Sequence, residues 1–229
     1  MLFIKLSKAS LLFLYSSLRS HFGFLNWWPA ETVDEMLVGA ILTQNTSWKN
    51  VEKAISNMRK EHLLSLKALS NASMGSITKA VKPSGFYRQK ASRLKRFSQY
   101  ITGNYSSIGM FFKRSKDPRA ELLGIGGIGN ETADSILLYA GNMPVFVVDA
   151  YTRRALSRIF GINAEAEPYE QLQQSLQRLL PRDIELYKDF HAQFVELGKA
   201  FCRKKPLCST CPVRGMCLYA AKHKLKQGR

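Results

Sequence analysis

Two short stretches carry residue types able to work on a phosphorylated ligand. Gly127-Ile128-Gly129 lies within the glycine-rich run 123–133, and Asp149 closes the apolar run Val145-Phe146-Val147-Val148. Closely spaced glycines permit positive φ and a near approach of backbone to ligand. Ala133, Ile136, Leu137 and Ala140 follow at helical spacing, so the turn predicts a helix start with free N–H groups that suit an anion. Its plainer reading is a helix start wedged between two packed helices. Asp149 offers a single carboxylate. It also precedes a helical pattern of Tyr151, Ala155, Leu156 and Ile159, where Asp is a good N-cap.

A second chemistry is carried by sulfur. The chain has four cysteines, Cys202, Cys208, Cys211 and Cys217, in the spacing Cys-x5-Cys-x2-Cys-x5-Cys. A disulfide framework would spread them along the chain, whereas a tight cluster points to a metal group. Zinc sites usually show two separated close pairs and here only one pair is close, but zinc stays open beside an iron–sulfur cluster. A third group is flat or amide-bearing. Trp27, Trp28 and Trp48 offer an aromatic wall for a planar ligand, or ordinary core and loop packing. Gln44 and Asn45 suit base edges as well as turns. Phe86 and Tyr87 follow Ser84-Gly85, either as a buried staple or as a wedge into a base stack.

The elements that position these groups read as helices almost throughout. Leu11, Leu14, Tyr15 and Leu18 share one face of a first helix. Thr32 and Glu35 have capping-box spacing before Met36, Ala40 and Ile41. Ser47 is placed to cap a helix bearing Trp48, Val51, Ala54, Ile55 and Met58. Residues 64–120 predict further short helices, broken at Pro83-Ser84-Gly85 and at Gly103-Asn104. Gly141-Asn142 ends the helix after the glycine turn, and residues 145–148, lacking partner strands, read as a buried extended connection. Two helices fill 169–199, parted near Pro181-Arg182-Asp183, and the basic tail from Lys222 reads as frayed. There is no internal repeat and no long linker.

Composition narrows the partner. The 229 residues include 34 Lys and Arg against 17 Asp and Glu, a net charge of +17, with 45% apolar residues. That is a globular chain whose excess cations call for an anionic partner, nucleic acid first and a membrane surface second. Arg88, Lys90, Arg93, Lys95 and Arg96 form the densest run, for which a solvated helix face is the plain reading. No apolar run approaches the roughly 18 residues of a membrane span. The N-terminal segment mimics a signal peptide only weakly, so an intracellular protein is expected.

Taken together, the motifs resemble the endonuclease III-type helix-hairpin-helix DNA glycosylases. Residues 125–134 followed by 147–154 resemble the family's hairpin and conserved aspartate. Residues 42–46 resemble its strand-opening glutamine loop, residues 85–91 its intercalating loop, and the cysteines its iron–sulfur loop, one residue short in the first spacing. The match spans about residues 27–217. The resemblance implies an all-α protein of two helical lobes with a DNA-binding cleft: residues 30–141 with the hairpin, and residues 1–29 with 142–229 carrying a [4Fe–4S] loop. It implies a monomer on double-stranded DNA that flips a damaged base. Gly127, Ile128 and Gly129, with Gln44, Asn45, Phe86 and Tyr87, would bind DNA. Strand-cutting members carry a Schiff-base lysine where this chain has Glu131, so a monofunctional glycosylase is expected, with Asp149 as the catalytic carboxylate and Glu131 contacting base or water. Trp27, Trp28 and Trp48, with Lys205 at the pocket edge, resemble the 3-methyladenine branch and favour a cationic alkylated purine. The alternatives are another base, such as uracil, mismatched thymine or an oxidised pyrimidine, or a non-catalytic module that binds DNA structure.

Overall fold

The computed structural model describes residues 5–25 and 28–224, and among these there are thirteen α-helices and no strand. The chain divides into two compact units, Trp28–Met143 and, discontinuously, Met1–Trp27 with Pro144–Arg229. No helix of the described residues is long and apolar enough to cross a membrane.

The discontinuous unit begins with α1 (Lys8–Phe22), entered through a capping box of Ser7 and Ser10. Its Leu11, Leu14 and Leu18 are fully buried, as their spacing predicts. Within the same unit lie α10 (Ala150–Phe160), α11 (Tyr169–Leu179), α12 (Ile184–Ala200) and α13 (Leu218–Lys224). The core helix is α12, which packs on α1 and α10. Its buried Asp189 accepts hydrogen bonds from Tyr15 Oη at 2.7 Å and from the Leu25 N–H at 2.9 Å, fixing the N-terminal segment by polar contacts as well as apolar ones. Burial, then Asp189, pushes the Tyr15 hydroxyl up to about 12.

The continuous unit is built around α2 (Val33–Leu42), buried from Glu35 through Leu42 and apolar nearly all round, as a central helix must be. Around it run α3 (Trp48–Lys60), α4 (Leu66–Asn71), α5 (Met74–Val81), α6 (Tyr87–Tyr105), α7 (Ile108–Arg114), α8 (Pro118–Gly124) and α9 (Asn130–Ser135), the last continuing into a π-helical turn at Ile136–Ala140. Three local expectations are corrected. Thr32 accepts from the Glu35 N–H at 3.1 Å, but the Glu35 carboxylate turns to Arg59 at 2.9 and 3.0 Å instead of closing a capping box. Ser47 stands at the N-cap of α3 without a side-chain cap bond. The break expected at Gly103-Asn104 falls at Ser106, because Tyr100 and Tyr105 both donate to Glu121 and hold the last turn of α6 in place.

Candidate functional site

The hairpin is α8, a five-residue turn and α9. Asp117 caps α8, with Pro118 at the first helical position. Ile125 and Ile128, each 5% exposed, are the apolar pegs of the turn, closed by the Ile128 N–H on the Ile125 carbonyl at 3.0 Å. Of the two expected glycines only Gly127 uses positive φ, at 98°; Gly129 is an extended N-cap at −97°. Buried Asp134 accepts from Arg119 Nε at 2.8 Å, strutting the two helices apart at a fixed angle. Glu131 is exposed in the first turn of α9.

Gln44 is drawn into this turn. Its Nε2 donates to the Gly127 carbonyl at 3.2 Å and to Thr132 Oγ1 at 2.9 Å, while its Oε1 accepts from Arg93. The amide expected to read bases thus sits on the hairpin in this structure. Asn45, next to it, is exposed and left-handed at φ 53°.

The loop before α6 is built to display an aromatic. Gly85 and Phe86 both have positive φ, 67° and 45°, and Phe86 is left-handed, a costly conformation for a bulky side chain. Phe86 is 63% exposed, which overturns the buried-staple reading. Tyr87 is half-buried, with the Arg88 guanidinium over its ring. Beneath the loop, Lys90 is fully buried and donates to the Ser84 carbonyl at 2.6 Å. Burial, then the charge of Arg93, pulls its ammonium down to about 8. Read from sequence as one cation of a solvated run, Lys90 is instead the peg under the loop.

Trp28, half-buried, meets Trp48 edge-on at 5.7 Å and Tyr139 at 5.3 Å. Its indole lies so close to Gly39 of α2 that a Cβ there would stand 3.0 Å from Nε1. Tyr139 was not anticipated; it is delivered by the π-helical turn, whose wider winding breaks the 3.6-residue pattern. Trp27 lies outside the described residues.

Asp149 heads α10 and is 7% exposed. The extended segment leading to it is paired by side chains in place of strands. The Phe146 N–H donates to Gln177 Oε1 at 2.8 Å, its carbonyl accepts from Gln173 Nε2 at 2.7 Å, and the Val148 N–H donates to Tyr169 Oη at 3.3 Å. Asp149 Oδ1 accepts from the Thr152 N–H at 2.7 Å, and Oδ2 lies 3.7 Å from His191 Nε2. Burial works against ionisation, but His191 and then Thr152 outweigh it and hold the carboxyl below the ordinary aspartate range. Buried His191, on α12, escaped the sequence reading. Seven residues further on the same face, Gly198 admits Tyr151 where a Cβ would clash at 2.1 Å, so α10 and α12 approach closely.

The α10 helix also sends two arginines to the cysteine loop. Arg154 Nε donates to the Cys202 carbonyl at 2.7 Å, and Arg158 Nη1 donates to the Arg203 carbonyl at 2.6 Å and to Cys202 Sγ at 3.4 Å. Cys202, Cys208, Cys211 and Cys217 line one recess, walled by Leu197, Phe201 and Val213. Burial pushes the Cys211 thiol up to about 11, with the neighbouring sulfurs adding to the rise. Among the described residues no group of three or more His, Cys, Asp or Glu is arranged to hold a metal ion. The four thiols share one recess, a donor set that either zinc or an iron–sulfur cluster could use. Lys205 is exposed on this loop.

The chain resembles known proteins along most of its length. A protein of Methanocaldococcus jannaschii, provisionally named a DNA repair glycosylase, is 49% identical over 208 residues, 90% of this chain and 94% of that one. The crystal structure of the H. pylori 3-methyladenine DNA glycosylase MagIII bound to 1,N6-ethenoadenine superposes with a TM-score of 0.75 at 31% identity, covering 85% of this chain and 98% of that one. A non-covalent endonuclease III–DNA complex superposes at 0.81 with 18% identity, covering 96% and 99%, and shares the fold. Residues 38–182, the hairpin and Asp149 among them, match the family model for the HhH-GPD superfamily base excision DNA repair proteins, and the chain belongs to that family.

Proposed function

We propose that the protein is a monofunctional DNA glycosylase that hydrolyses the glycosidic bond of alkylated purines such as 3-methyladenine. The observation that carries the reading is Asp149, buried at the head of α10 and kept ionised by Thr152 and His191. An anion so placed orients or deprotonates water and offsets the positive charge that grows on the departing sugar. The substrate class follows from chemistry. An N3- or N7-alkylated purine is a cation with a weakened glycosidic bond, needing no strong acid to protonate the leaving base. Trp28, Trp48 and Trp27 offer the aromatic faces a cation prefers, worth about 1–2 kcal/mol when desolvated. The 31% identity to MagIII, against 18% to the endonuclease III of the DNA complex, supports the same class. Lys205 borders the base and Glu131 touches base or water.

Glu131 carries the monofunctional part. A carboxylate forms no imine with an opened sugar, so cleavage stops at the abasic site. The four cysteines would hold a [4Fe–4S] cluster, which when bound would order the basic loop of Arg203, Lys204, Lys205 and Arg214 for DNA. The working form is a monomer on duplex DNA.

The deciding experiment incubates the protein with methylated duplex DNA and identifies the released bases by chromatography. Release of 3-methyladenine is expected. Release of uracil or thymine alone, from the matching substrates, would replace the substrate class. No release from any damaged duplex, with DNA binding intact, would leave only a binding module. Borohydride should trap no covalent complex.

A further inference from the structure

The basic run of α6 divides by what each cation touches. Lys90 is occupied with the Ser84 carbonyl, and Lys95 with the carbonyls of Ser70 and Ala72 at 2.8 and 2.6 Å. Arg88 lies over Tyr87. Arg93 and Arg96 do something else: both reach across to the hairpin turn. The Arg93 methylenes fill the space a Cβ on Gly127 would need, 2.5 Å from Cγ and 2.8 Å from Cδ. The Arg96 guanidinium fills the space beside Gly126. Gly126 has no positive φ, and a Cβ there would meet the movable end of Arg96.

Neither guanidinium has a carboxylate within ion-pair distance among the described residues. Gln44 Oε1 holds Arg93, and Ser92 Oγ holds Arg96 at 3.0 Å, so both are steadied by neutral acceptors that leave the positive charge unanswered. Two planar, fork-shaped donors laid over a backbone turn match an anion with several acceptor oxygens, which for a DNA-binding protein is a phosphodiester.

We propose that Arg93 and Arg96 bind backbone phosphate, adding a side-chain half to the hairpin's grip, with Gln44 keeping Arg93 aimed at the turn. The inference rests on the DNA-binding part of the proposed function and not on its chemistry. It assigns a role to a charge run that otherwise reads as a solvated face.

The test is fluorescence anisotropy of a labelled duplex carrying a tetrahydrofuran abasic analogue, across a salt series. Arg93→Gln and Arg96→Gln should each make the slope of log K against log[salt] shallower by about 0.9, so that affinity falls about eightfold less per decade of salt than in the wild type. The double variant should lose about twice that slope, and the Arg93→Lys, Arg96→Lys pair should keep it. Lys53→Gln, on the exposed face of α3, should leave the slope unchanged. Wild-type slopes in the glutamine variants, or an equal slope loss in Lys53→Gln, overturn the proposal. The single variants and the lysine pair keep the outcome readable if the double glutamine variant unfolds by circular dichroism. Base release is read in parallel. A wild type that binds but releases nothing removes the glycosylase reading alone, and one that releases base while the variant slopes stay put removes the phosphate role alone.

Discussion

Asp149 has two tasks, capping α10 and carrying charge, and the two can be separated. Asp149→Asn keeps an N-cap acceptor, so the thermal melt and DNA affinity should hold while base release falls by about 10²- to 10⁴-fold. His191 touches the carboxylate without capping α10. Because it helps hold the carboxyl below the ordinary range, His191→Gln should raise the Asp149 pKa. The acid limb of kcat/KM against pH should then move upward, and a profile that stays where it was would deny His191 that role. Glu131→Lys places an amine where the chain has a carboxylate, and borohydride should then trap a covalent DNA adduct. At this scale the N-cap role of Asp149 was legible in the sequence. His191 was not, because a lone histidine on an apolar helical face declares nothing until α12 is folded against α10.

Among elements, the loop ahead of α6 and the hairpin depend on buried charges that periodicity does not reveal. Lys90 titrates lower in the fold than in the open chain, so between about 8 and 10.4 the unfolded state binds more protons, and this group adds stability as pH rises through that window. Urea unfolding of wild type minus Lys90→Met should show that rise. Breaking the hairpin strut by Arg119→Met leaves Asp134 buried without its guanidinium, a loss of about 3–5 kcal/mol by the same method. Helix starts at Thr32 and Asp149 were legible because caps are local. The end of α6 was not, since Glu121, distant in sequence, decides it, and the π-helical turn that carries Tyr139 follows no 3.6-residue rule.

For the whole molecule, a net charge of +17 makes DNA affinity a strong function of salt, and the arginines at the turn set part of that slope. The cysteine recess predicts purified protein with visible absorbance, iron and acid-labile sulfide, all lost in Cys217→Ser; stoichiometric zinc instead would reject the cluster. The segment delivering Asp149, the proposed catalytic carboxylate, has no strand beside it. Its main chain is tethered by Gln173, Gln177 and Tyr169, all from α11, a helix to which no part of the chemistry is assigned. Turnover is therefore hostage to a glutamine: shortening Gln177 to alanine should slacken the aim of Asp149 and slow base release with substrate binding unaltered, a lesion that a map of ligand-touching residues would pass over.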